Sequence, residues 1–159
     1  MTDTGGLRGV GIDVAGHDRL DRLARSPRAL ERWFTEAELA ACRDADGRPR
    51  AALLAAHLAA KEAVIKVLAF PWDGPVALRD VEITLPRAAS GPRAASAPRA
   101  ASAPRDASAP RDASGPSWSG VRVTLTGRPA QTARAAGITA WHVSVGTTGA
   151  VTLATALAC

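Results

Sequence analysis

An α+β fold, with an antiparallel sheet packed on one long helix, is predicted by three features of the sequence. Short runs near both ends alternate apolar and polar residues. An Ala-rich stretch before the middle has helical periodicity, and a hexapeptide repeat separates two of the strand-like runs. At 159 residues the chain is expected to form a single domain, 1–159, with residues 87–116 as an insertion.

The first strand is read over residues 7–14. Val10, Ile12 and Val14 alternate there with Gly11 and Asp13, which predicts a buried aliphatic face and places Asp13 on the polar one. A short basic helix follows, with Arg19, Arg22, Arg25 and Arg28 spaced by three, so four guanidinium groups would fan over about half of its surface. Thr35 and Glu38 have capping-box spacing and open another helical stretch through Cys42. The long helix is expected over residues 51–69, with Leu54, Leu58, Ile65 and Leu68 as its apolar stripe. A strand near 81–85 precedes the repeat, and Val121, Val123 and Leu125 alternate with polar residues after it. The pair reads as a hairpin whose turn has been replaced by the insertion. Pro129 suits a first helical turn and Gly137 a helix stop, and two further strands are expected near 141–145 and 150–157.

The insertion runs RAASGP, RAASAP, RAASAP, RDASAP, RDASGP. Proline at every sixth residue disfavours helix, and no large apolar side chain offsets the entropy of ordering. The segment is expected to be a disordered or partly polyproline-II tether, tolerated because loop-closure cost rises slowly with length. It holds five Arg and two Asp, which is +3 of the +5 net charge and leaves +2 for everything else. The remainder is only mildly basic. With no aromatic residues interleaved among the arginines for base stacking, a nucleic-acid partner is not expected.

Cys42 and Cys159 have neither metal-ligand spacing nor a disulfide framework, and both read as structurally incidental. No signal-like segment and no apolar run long enough to span a bilayer is present, so a soluble, cytoplasmic protein is expected, without a membrane partner. Aromatic residues are scarce, with four Trp, two Phe and no Tyr. A core built on small aliphatic side chains suggests that a partner subunit contributes stability.

Two acidic residues stand out by context: Asp13 in an otherwise apolar strand, and Glu62 in the middle of an Ala-rich helix. Brought together, two carboxylates could hold Mg²⁺, which takes few protein ligands and completes its shell with water and phosphate oxygens. Lys66 lies one turn after Glu62 and Lys61 is its neighbour. From spacing alone, a solvated Glu62–Lys66 helix pair is the favoured reading.

The ordered motifs GVGIDVAGHDRL, FTEAEL, LAAHLAAKEAVIK, DVEI and WHVSV resemble the holo-acyl-carrier-protein synthase family of 4′-phosphopantetheinyl transferases. The matching positions are Asp13, Arg19, Phe34-Thr35 with Glu38, Lys61-Glu62 and Lys66. The resemblance implies a phosphopantetheinyl-transferase-like fold and transfer of 4′-phosphopantetheine from coenzyme A to a serine of an apo acyl-carrier protein. The holo carrier would serve fatty acid or polyketide synthesis. A homotrimer with coenzyme A between protomers is also implied. By this likeness Asp13 and Glu62 hold Mg²⁺, and Lys66 acts with them near the diphosphate or helps handle the serine proton. Lys61 is a peripheral phosphate contact or solvated, and Arg19, Arg22 and Arg25 dock the acidic carrier.

Three positions depart from the family pattern. Thr147 stands where the family has histidine and cannot serve as a general base near neutral pH; His142, five residues earlier, is not expected to replace it. His57-Leu58 replaces Arg-Phe, which leaves a mostly neutral imidazole at a phosphate-contact position. Ala69-Phe70-Pro71-Trp72 replaces a glycine-rich turn. The expectation is a slow or specialised transferase in which Thr147→His raises turnover. The alternative is a non-catalytic binder of coenzyme A or carrier protein; intact Asp13, Glu62 and Lys66 favour the enzyme.

Overall fold

The structure, a computed structural model, describes residues 6–69, 78–86, 117–118 and 120–159. The repeat at 87–116 and the segment Phe70-Pro71-Trp72 lie outside the described residues. Strand β1 (Gly9–Gly16) leads into helices α1 (His17–Ala24), α2 (Pro27–Trp33), α3 (Glu36–Ala41) and the 18-residue α4 (Ala51–Leu68). A 3-10 turn (Leu78–Asp80) and β2 (Val81–Thr84) follow. Then come β3 (Ser117–Trp118), β4 (Arg122–Leu125), α5 (Gly127–Ala135), β5 (Trp141–Thr147) and β6 (Val151–Ala158).

All strand pairings are antiparallel and form two sheets. One has the order β1-β6-β5-β3 and the other joins β2 to β4. The β2–β4 register, Val81 to Leu125 and Thr84 to Arg122, is that of the expected hairpin around the insertion. Helix α4 crosses the larger sheet and is buried over most of its circumference, with Leu54, Leu58, Ala59, Ala60, Ala63 and Val64 fully enclosed. No helix among the described residues is long and apolar enough to cross a membrane.

Two expectations are corrected. First, β1 faces the opposite way. Gly11 and Ala15 are buried and Asp13 is half-buried, whereas Val10, Ile12 and Val14 are 51–54% exposed. The reason is steric. A Cβ at Gly11 would run into the Ala63 carbonyl, and one at Gly9 would come within 2.8 Å of Val67 Cγ1, so only the small-residue face can receive α4. The inner face of β6 is equally small, with Thr152, Ala154, Ala156 and Ala158 buried. Second, the basic helix is two helices. Pro27 begins α2 and cannot continue α1, which leaves Arg19 and Arg22 on α1, Arg25 at its C-cap and Arg28 on α2.

The capping box is present: Glu38 N donates to Thr35 Oγ1 and Thr35 N to Glu38 Oε2. Glu38 does more than cap. Fully buried, it accepts from Lys61 Nζ at 2.7 Å and from Ile83 N at 2.8 Å. Lys61 Nζ also donates to the carbonyls of Trp33 and Leu78 and sits 5.6 Å from the Phe34 ring centre. One ion pair thus ties α2, α3, α4, the 3-10 turn and β2 together. Removing one partner of such a pair strands the other charge in the core, at a cost of about 3–5 kcal/mol. Lys61→Met is therefore expected to lower the free energy of urea unfolding by about that amount. A change below about 1 kcal/mol would contradict this account of the core.

Candidate active site

The site forms where β1 and α4 touch. Asp13 is the polar member of β1's inner face, and the glycine before it lets the helix approach until Glu62 reaches the same spot. Burial first, and then the neighbouring Asp13 carboxyl, push Glu62 up to about 7, while the Arg19 and Lys66 charges pull the other way. Lys66 turns to the strand rather than to Glu62. Its Nζ donates to Asp13 Oδ1 at 2.6 Å and to the Ile12 carbonyl at 2.8 Å, and it remains half-exposed. Asp13 Oδ2 is buried without a hydrogen-bond partner, the sole such side-chain atom among the described residues.

This arrangement fits a magnesium ion. A buried carboxylate oxygen of Asp13 has no hydrogen-bond partner, and burial, followed by the adjoining Asp13 carboxyl, disfavours the charged form of Glu62 beside it. No group of three or more His, Cys, Asp or Glu side chains gathers among the described residues, so these residues supply no complete cage. A cation bound here would draw its remaining ligands from water or phosphate oxygens, which is the habit of Mg²⁺.

Arg19 belongs to this site as well as to the surface. Its guanidinium lies 5.4 Å from the centre of the Trp33 ring, and its charge is felt by Glu62. Arg22 is paired with Asp18 at 3.1 Å in an exposed i,i+4 contact of small energetic weight. Arg25 is exposed at the end of α1.

Two of the expected phosphate contacts are corrected. Lys61 is fully buried and committed to Glu38, neither solvated nor able to reach a ligand. His57 is buried too, with Nδ1 2.9 Å from the Leu53 carbonyl and 3.4 Å from Cys42 Sγ. Burial lowers its affinity for a proton. Burial also pushes the Cys42 thiol up to about 12, which makes it an inert core residue. Thr147 is buried on the inner face of β5 and His142 is exposed on the outer face, so the two cannot exchange roles.

Sequence reasoning missed His17. Its Nε2 lies 3.0 Å from Thr152 Oγ1 and 3.1 Å from Thr147 Oγ1. Only the pairing of β5 with β6, which sets Thr147 opposite Thr152, makes that cluster visible.

This architecture finds counterparts among known proteins. The chain belongs to the 4′-phosphopantetheinyl transferase superfamily, whose family model it matches over residues 9–109. It is 44% identical over 70 residues to holo-[acyl-carrier-protein] synthase of Myxococcus xanthus, covering 42% of this chain and 53% of that protein. The corresponding figures for the Moorella thermoacetica synthase are 49% over 76 residues, 47% and 57%. The alignments thus span about half the length of these curated relatives. In fold it resembles holo-[acyl-carrier-protein] synthase from Neisseria meningitidis, with a TM-score of 0.65 at 18% identity and coverage of 97% and 99% of the two chains. The Helicobacter pylori enzyme, solved in complex with coenzyme A, gives a TM-score of 0.60 at 17% identity, over 94% and 99%.

The raised Glu62 has a measurable consequence. Because its folded-state value lies above the ordinary 4.5, the folded protein takes up a proton more readily than the unfolded chain between pH 4.5 and about 7. Stability without metal therefore falls as pH rises through that window. Thermal melts at pH 5 and pH 8 are expected to show a lower Tm at pH 8. Added Mg²⁺ should raise Tm more at pH 8, where no proton competes for Glu62. Glu62→Gln should remove both effects. Equal Mg²⁺ shifts at the two pH values would contradict the assignment.

Proposed function

We propose that this chain transfers 4′-phosphopantetheine from coenzyme A to a serine hydroxyl of an acidic apo acyl-carrier protein, with Mg²⁺ held by Asp13 and Glu62. The observation that carries this reading is the Asp13–Glu62–Lys66 cluster in a chain of this superfamily. When bound, the ion would neutralise charge developing on the diphosphate during transfer. Lys66 has two parts in the reading. It fixes the strand carbonyl and the Asp13 carboxylate in place, and its half-exposed ammonium presents a cation where the coenzyme A phosphates would lie. Arg19, Arg22 and Arg25 form the exposed basic edge suited to an acidic carrier, with Arg19 stiffened by its stacking on Trp33.

The reading includes a homotrimer. Its support is the outer face of β1 and β6, where Val10 pairs with Leu157 and Val14 with Leu153, beside Ile12 and Val151. These six aliphatic side chains are 39–54% exposed, a contiguous apolar surface of the kind that soluble proteins cover with a partner. A second copy is a suitable occupant, because the patch consists of aliphatic side chains and carries no charge to select a different surface.

Two experiments test the proposal. Incubated with apo carrier protein, coenzyme A and Mg²⁺, the protein should add the mass of one phosphopantetheine to the carrier, and Asp13→Ala or Glu62→Gln should abolish the gain. No gain across several carriers, with folded protein, would refute it. Ile12→Asp sits on an exposed position and should leave the protomer folded, yet convert a trimer to monomers in sedimentation velocity. An unchanged sedimentation coefficient would remove this face from the assembly.

A further inference from the structure

His17 is the first residue of α1, and its ring lies between the hydroxyls of Thr147 and Thr152. His17 Nε2 meets both hydroxyls, at 3.0 Å from Thr152 Oγ1 and 3.1 Å from Thr147 Oγ1. The two hydroxyl oxygens lie 2.9 Å apart, and the Thr147 hydroxyl has the Thr148 and Val151 carbonyls within reach at 3.2 and 3.3 Å. In the tautomer with the proton on Nε2, that nitrogen donates to the hydroxyl oxygens and Nδ1 keeps its lone pair.

The cluster stands close to the carboxylates. Thr152 pairs with Ala15, two residues along β1 from Asp13, a displacement of roughly 7 Å at the rise of a strand. The imidazole is half-buried and anchored by strands β5 and β6. Thr147, at the position where the family motif has histidine, has a side chain short enough to leave room for the His17 ring beside it.

We propose that His17 is the proton acceptor of the transfer, with Thr147 and Thr152 holding its accepting nitrogen, Nδ1, ready. The inference rests on the transferase reading above. In that step the serine oxygen forms a bond to the phosphorus that carries pantetheine. The bond from that phosphorus to the bridging oxygen breaks, and 3′,5′-ADP leaves with the electron pair. The serine proton passes to Nδ1 and later to solvent. Thr147 is then part of a working proton path rather than the scar of a lost one.

The test measures kcat and KM for coenzyme A by the mass of the holo carrier. His17→Gln can keep the threonine contacts through its amide N–H but cannot accept a proton. It is expected to lose about a hundredfold or more in kcat, with KM within about twofold, the usual scale of general-base help. Thr147→His added to His17→Gln should recover about tenfold or more by returning an imidazole to the same space. Thr147→His alone removes a hydroxyl that holds the His17 ring and should lower kcat, contrary to the expectation from sequence. A His17→Gln protein with wild-type kcat overturns the proposal, as does a tenfold gain from Thr147→His alone. If wild-type protein transfers and Asp13→Ala does not, but His17→Gln is unimpaired, the transferase reading stands and only His17 is removed. If wild-type protein transfers nothing, the reading itself fails and takes this proposal with it.

Discussion

Helix α4 lies against β1 at a distance that no side chain larger than hydrogen at position 11 would permit, and the site follows from that approach. A strand carboxylate and a helix carboxylate repel each other and resist desolvation, and Glu62 registers both effects. They stay together because the surrounding contacts leave neither element elsewhere to go. Ala15, Ala154 and Ala156 line the sheet beneath α4, and Ala59, Ala60 and Ala63 answer from the helix. A core of small residues has little area to bury per residue, but it brings backbones close, and closeness is what the site requires.

The Glu38–Lys61 pair fixes the other side of the same helix. A buried ion pair adds little net stability over an apolar substitute, but it is intolerant of misplacement, because each charge is costly without its partner. Here Lys61 also satisfies the Trp33 and Leu78 carbonyls, and Glu38 satisfies the Thr35 and Ile83 amides. Rotation of α4 about its axis would break the three Lys61 contacts, to Glu38 and to the Trp33 and Leu78 carbonyls, at once. The pair therefore sets the angular position at which Glu62, the next residue, points toward β1.

The elements were largely legible in the sequence because each carries a local signal. The capping box, the Ala-rich helix and the strands at 141–147 and 151–158 all depend on neighbours a few residues away, and the two strands flanking the insertion each show their own alternation. The facing of β1 was not legible. Alternation reports two faces but not which one the core receives, and the presence of Val10, Ile12 and Val14 pointed to the wrong one. Helical geometry, by contrast, held an unused clue about the lysines. Positions 61 and 66 differ by five residues, about 140° around a helix, so the two could not share one phosphate. Lys61 turns inward to Glu38 and Lys66 outward to Asp13. His17 was illegible for a different reason: its partners are 130 and 135 residues away.

The inversion of β1 also couples the candidate site to the proposed assembly. Odd-numbered residues 9, 11, 13 and 15 face the helix and build the carboxylate site, while Val10, Ile12 and Val14 point outward. A strand has only two faces, so small residues chosen to admit α4 force the aliphatic ones to the surface. A one-residue slip in register would exchange the faces, driving three branched side chains into the helix and carrying Asp13 to the outside. Burial of the outer patch between protomers would therefore act against that slip, and the same contact that satisfies the exposed valines would hold Asp13 opposite Glu62.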